Sequence, residues 1–154
     1  MMNLKQLFRE PSIVKVNKVI LVALILVSLA GFIDATYLTT KHYLGEPIKC
    51  SLLSGCEEVT SSKYSVMLGM PVALYGALYY LTILVLTVLY LDTKRNAIMS
   101  FLAKFTVVGF IASVYFMFLQ TFIIKAFCLY CIFSAVSSTA LFVIGLIILK
   151  GKRT

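Results

Sequence analysis

Four long apolar runs dominate the chain, and they leave few folds open. They cover about residues 19–40, 70–91, 98–124 and 127–149, and none contains more than one charged side chain. Each is long enough to cross a bilayer as a helix, which takes about 20 residues. Apolar residues lie all round each run, without the single stripe of a surface helix. A water-soluble core has no use for so much: 61% of the chain is hydrophobic and 13% charged, against about 45–50% and about 25% in soluble domains. We therefore expect an all-α integral membrane protein, one domain over residues 1–154, folded as a four-transmembrane-helix bundle.

The first run competes with a cleaved signal peptide, because Ser28-Leu29-Ala30 resembles a processing site. Its apolar character continues through Gly31, Phe32 and Ile33 to Tyr37, which favours a retained span. Pro71 falls where a first helical turn of the second span tolerates proline. Lys125 marks a tight reversal between the last two runs. The longest polar segment, about 41–65, connects helices 1 and 2; Gly45, Pro47 and Gly55 make it irregular, and 57–62 can form a short interfacial helix.

The net charge of +8 raises the question of nucleic acid. The basic residues, however, sit beside apolar runs and form neither a stripe nor a basic-aromatic pattern, so we expect lipid and no nucleic acid. With the N-terminus inside, the cytoplasmic side holds Lys5, Arg9, Lys15, Lys18, Lys94, Arg95, Lys104, Lys150, Lys152 and Arg153. The outer side holds Lys41, Lys49, Lys63 and Lys125. Positive charge favours the cytoplasmic side. Both termini are then cytoplasmic, and the 41–65 loop is extracytoplasmic.

That topology puts all four cysteines on the outer side. Cys50 and Cys56 are spaced C-x5-C in the loop, where a short flexible connection can close into a disulfide. Cys128 and Cys131 form C-x2-C at the start of the fourth span. A thiol at a helix start faces free N–H groups and the positive end of the helix dipole, so Cys128 is expected to have a lowered pKa, with Lys125 adding positive charge. Cys131 lies one turn deeper, where a lipid-soluble oxidant meets it first. Thiol exchange is one explanation. Structural bridges, inert buried thiols and a metal held by all four are the others. The metal reading lacks paired C-x2-C knuckles, and none is expected.

The run Cys50-Ser-Leu-Leu-Ser-Gly-Cys56-Glu-Glu-Val59, then Ser62, Gly69 and Pro71, resembles the loop of the vitamin K epoxide reductase family. Cys128-Leu-Tyr-Cys131 is similar to that family's active-site pair, and Tyr37-Leu38 and His42-Tyr43 look like its bacterial members. The DsbB family is similar in architecture but carries its C-x2-C in the first outer loop. The resemblance implies a quinone-dependent thiol oxidoreductase of a prokaryotic cytoplasmic membrane that reoxidises a separate thioredoxin-fold (DsbA-like) protein and supports disulfide formation. It makes Cys50, Cys56, Cys128 and Cys131 catalytic, with Cys131 and Ser62 beside the quinone, whether ubiquinone, menaquinone or a vitamin K-like ring. Val72 and Ala135 stand where the vertebrate enzyme has an asparagine and a tyrosine, so disulfide formation is implied in preference to epoxide reduction.

Asp34 lies inside the first span, where a carboxylate is often functional, and a proton relay is one role for it. His42, the sole histidine, is expected at the surface. The small-residue stretches at 73–77 and 134–138 permit close helix packing or room for a flat ring. The alternative to an enzyme is a membrane scaffold or small transporter whose disulfides only staple its outer face.

Overall fold

The computed structural model describes residues 16–52 and 55–151. Four helices are long and apolar enough to cross a membrane. They are α1 (Lys18–Leu44), α3 (Val72–Thr93), α4 (Asn96–Phe118) and α5 (Leu129–Gly151). The end of α4 widens into a π-helical turn over Leu119–Ile124. Between α1 and α3 lie the short helix α2 (Cys56–Ser61) and a two-stranded hairpin, β1 (Val66–Met67) and β2 (Met70–Pro71). The expected spans agree with these helices to within a few residues. Pro71 differs from expectation: it stands just before α3 with extended backbone and pairs with Val66 in the hairpin. Its fixed φ near −65° suits both settings, and the tight Leu68-Gly69 turn decides between them. Lys5, Arg9, Lys15, Lys152 and Arg153, counted above for orientation, lie outside the described residues, as do Leu53 and Ser54.

The four long helices close into a ring in which α1 packs on α3 and α5, and α4 on α3 and α5. Each is apolar all round, yet each buries one seam at three- and four-residue spacing. In α1 that seam is Leu21, Leu24, Ser28, Gly31, Ala35 and Leu38; in α5 it is Ser137, Ser138, Leu141, Gly145 and Ile148. Small and hydroxylated residues are prominent inside, while Leu26 and Phe122 stand outside at 61% and 64% exposure. This is the pattern expected when lipid is the solvent and close approach of backbones, not hydrophobicity, holds helices together. Inward hydroxyls bond back to their own helices, as Thr39 does to the Ala35 carbonyl at 2.7 Å and Thr87 to that of Ile83 at 2.7 Å.

The core has two parts. The larger one, centred on Leu24, Tyr80, Ile83, Met99, Leu102 and Leu141, fills the bundle. The smaller, made by Leu38, Ile48, Cys56, Val59, Ala126 and Cys128, pins the α1–α3 loop onto the start of α5. Between them Tyr80, 1% exposed, crosses from α3 and donates its hydroxyl to the Ser134 carbonyl at 2.6 Å. Its ring occupies the place of a side chain at Gly31.

Gly31→Ala should therefore displace Tyr80 and destabilise the bundle by about 1–3 kcal/mol, the usual cost of overpacking. Gly76→Ala meets only the Ala35 Cβ, at 3.6 Å, and should be neutral or stabilising. Thermal melts of the two variants in detergent test the difference.

Candidate functional site

The loop reaches α5 because Gly55 lets it. A Cβ at Gly55 would lie 2.7 Å from the Phe127 amide nitrogen and 2.8 Å from its carbonyl oxygen, so only glycine permits the two backbones to meet. The next residue, Cys56, opens α2 and is 1% exposed. It is joined by a disulfide to Cys50, with 5.9 Å between their Cα atoms. Cys50 remains partly exposed, whereas Cys128 and Cys131 are free thiols, the former buried.

Cys128 precedes the first residue of α5, and its carbonyl accepts the Ile132 N–H at 3.0 Å. The unpaired donors of this helix start all point at the site. The Cys128 N–H donates to Gln120 Oε1 at 3.0 Å, and the Leu129 N–H to Cys56 Sγ at 3.3 Å. The Tyr130 and Cys131 N–H groups serve the Cys128 sulfur. The Cys128 thiol is consequently pulled down from 9.0 to about 7. The hydrogen bond from the Cys131 side chain is the largest cause; burial acts upward against it, and the two backbone N–H groups act downward. Lys125, expected to contribute, is not among the causes. It is exposed and serves the chain by taking a left-handed conformation (φ 57°) that ends the π-helical turn and reverses direction.

The sulfurs of Cys50, Cys56 and Cys128 lie within 4.8 Å of one another. Three free thiolates that close would suit a metal, but two of them are joined here. A partly ionised thiol beside a disulfide is instead a geometry for exchange, since the thiolate is the attacking species. The local arrangement thus gathers the four predicted cysteines at one end of the bundle.

Cys131 also borders a cavity of about 290 Å³ between the helices. Its wall is largely apolar, with Leu38, Val72, Ala112, Phe116 and Ala135 among the lining residues. Such a space, near the lower end of the usual range for small-molecule sites, fits a flat, lipophilic ring. A quinone ring therefore matches the residues present, with the free Cys131 thiol on one wall. Ser62, expected beside the quinone, lines the cavity, but its hydroxyl proton is given to the Val59 carbonyl at 2.7 Å. His42 is exposed, as expected, and lies on the rim. Asp34 does not line the cavity. It is buried in α1, near enough to Cys128 to act on it electrostatically, and its Oδ2 has no hydrogen-bond partner.

Gln120 went unnoticed in the sequence. It is 2% exposed, on the π-helical turn, and both caps Cys128 and lines the cavity. Its one sequence signal was an amide in an otherwise apolar run, eight residues before Cys128.

The chain belongs to the vitamin K epoxide reductase family, whose model matches residues 22–146. The match takes in all four cysteines and the cavity. No curated protein matches the chain. Family membership makes this protein a membrane thiol oxidoreductase and sets aside a merely stapled scaffold.

Two outcomes follow from the helix start. The Cys128 thiolate should form as pH rises through about 7 and be lost below it, because its pKa is lowered to near neutrality. Cys131→Ala, which removes the largest cause, should move that midpoint upward; thiolate ultraviolet absorbance across pH, which needs no reagent to reach the buried sulfur, measures it. Gln120→Leu should cost about 1–3 kcal/mol by leaving the buried Cys128 N–H without an acceptor, and Gln120→Glu, which keeps one, should recover most of the loss in a thermal melt.

Proposed function

We propose that this protein oxidises a thioredoxin-fold (DsbA-like) partner and passes the electrons to a membrane quinone, so supporting disulfide formation. The observation that carries the proposal is the continuous set of sulfurs running from the partly exposed Cys50 through Cys56 and Cys128 to Cys131 on the cavity wall.

Burial supports one order. A partner thiolate can approach Cys50 but not Cys56, so it attacks Cys50 Sγ. The Cys50–Cys56 bond breaks, and Cys56 leaves as a thiolate held by the Leu129 N–H. The partner's second thiol attacks the mixed disulfide, and the partner departs oxidised. When Cys128 and Cys131 are joined, the Cys56 thiolate attacks Cys128 and expels Cys131 as a thiolate. Cys50 then attacks Cys56 and frees Cys128. The loop disulfide is thereby restored and the helix pair reduced, which is the arrangement described above.

Quinone, when bound, supplies an acceptor for two electrons and two protons. The residues that would hold it are those of the cavity, with Cys131 and Ser62 beside it. Closing the Cys128–Cys131 bond releases the pair of electrons. The apolar walls exclude water, which strengthens the polar interactions made inside. We assign Asp34 the proton lost by the thiol pair, on the strength of its burial, its unpartnered oxygen and its electrostatic effect on Cys128. The cysteine end is proposed as the outer face and both termini as cytoplasmic. The basic residues of the whole sequence support this, ten of the 14 falling in the segments expected to be cytoplasmic.

Purified protein should reduce a quinone when given a reduced thioredoxin-fold donor, and Cys131→Ser should reduce none while still exchanging with the donor. Given a donor that lacks its second cysteine, wild-type protein with the loop disulfide closed should accumulate a mixed disulfide between the donor and Cys50, visible by mass spectrometry. Absence of turnover by wild type with ubiquinone, menaquinone and naphthoquinone analogues would remove the quinone from the proposal.

A further inference from the structure

The Gln120 amide is held by one end only. Its Oε1 accepts the Cys128 N–H at 3.0 Å, which fixes the oxygen toward the helix start and the nitrogen away from it, since a reversed amide would set donor against donor. Among the described residues nothing accepts from Nε2. The residue is 2% exposed, yet this nitrogen is not sealed in protein. The fully enclosed side-chain atoms without a partner are Asp34 Oδ2, Tyr79 Oη and Ser138 Oγ, and Gln120 Nε2 is not among them. The little surface that Gln120 keeps opens on the cavity it lines with Cys131.

The cap explains only half of this side chain. A carboxylate would accept the Cys128 N–H equally well; what the amide adds is a neutral N–H₂ donor. In a membrane-spanning segment no bulk water meets that donor, and leaving it unmet is costly. Other polar groups on the wall have already given their protons to main-chain carbonyls: Thr60 to Cys56, Ser62 to Val59 and Ser65 to Ser62, each at 2.7 Å. Cys128, which holds the amide, precedes Cys131 by three residues, about one helical turn or roughly 5 Å. The free donor and the free thiol therefore share one end of an apolar cavity, and the pair points to an acceptor atom that enters from outside the chain.

We propose that the Gln120 amide nitrogen donates a hydrogen bond to a carbonyl oxygen of the quinone, beside Cys131. This rests on the quinone reading above and adds to it a residue that orients the ring. A fixed donor at that oxygen also stabilises the negative charge that builds there as electrons arrive. The class of ligand so selected is a flat ring bearing an exocyclic oxygen acceptor, in preference to a hydrocarbon of the same shape.

The test is binding in detergent, in a Cys128→Ala/Cys131→Ala background that removes thiols the ring would alkylate and keeps the residue-128 N–H. The probes are 2-methyl-1,4-naphthoquinone and, as a carbonyl-free ring, 2-methylnaphthalene, with infrared difference spectra of the bound quinone. One carbonyl stretch should lie below its frequency in hydrocarbon solvent. Gln120→Leu should return that band upward and weaken the quinone by about three- to tenfold, the size of one net hydrogen bond, while the hydrocarbon stays within about twofold. The band position in the background protein stands whether or not Gln120→Leu folds. Unshifted carbonyl bands, a shift that survives Gln120→Leu or is lost instead with Ser113→Ala elsewhere on the wall, or equal weakening of both probes would overturn the proposal. Quinone reduction by the thiol-intact wild type is measured alongside. If that fails, the quinone reading falls and takes this one with it; if it succeeds while the bound carbonyls are unshifted, only the Gln120 donor is refuted.

Discussion

The start of α5 organises the whole cysteine end. A helix beginning inside a protein has N–H groups with no partner along its own axis, and each must be met. Here they are met by the Gln120 amide oxygen, the Cys56 sulfur and the Cys128 sulfur. Two of these acceptors are sulfurs of the proposed exchange. The same donors that complete the helix therefore hold the loop in place, favour a thiolate on Cys128 and, in the proposed exchange, receive Cys56 as a leaving group. Losing the helix start would cost the fold and the chemistry together.

The bundle around it follows membrane logic. With lipid outside, large apolar side chains gain no hydrophobic energy by turning inward, and small and hydroxylated residues share the seams with Leu24, Ile83, Met99 and Leu141. Close packing at Gly31 and Gly145 brings helices together, with the Tyr80 ring against the first and Thr106 against the second. Toward the cysteine end the inward positions of α3 and α5 are alanine, glycine and serine, too small to fill the space, and a cavity remains. The small-residue stretches at 73–77 and 134–138 allowed either close packing or room for a ring. The structure uses them for both, with Tyr80 packed across and the cavity beside it.

The parts legible in the sequence are those governed by local rules. Span lengths follow from bilayer thickness, the reversal from Lys125, and the C-x2-C at a helix start from adjacency alone. The cause of the lowered Cys128 pKa was only half legible. The helix N–H groups were anticipated, but the larger effect is the side chain of Cys131, and the nearby lysine does not contribute. The Cys56–Leu129 contact joins residues 73 apart, and the Tyr80–Ser134 bond depends on how two helices rotate against each other. Gln120 was missed for a related reason: a lone amide in an apolar run has no periodicity to reveal what it faces. Asp34 acts on Cys128 electrostatically but does not line the cavity, so the proposal gives it proton handling and not contact with the acceptor.

The exposure gradient along the sulfurs has a consequence of its own. Cys50 is partly open, Cys56 and Cys128 are at 1% and 0% exposure, and Cys131 faces an apolar cavity. A thiolate ionised near neutrality is also a target for peroxide and small disulfides, to which exposed low-pKa cysteines are vulnerable. Burying Cys128 while lowering its pKa separates reactivity from accessibility, two properties that usually rise together. Burial alone would push the thiol up and disarm it. The fixed N–H groups and the Cys131 thiol reverse that effect without admitting water, so the sulfur stays reactive toward the one disulfide held within reach of it.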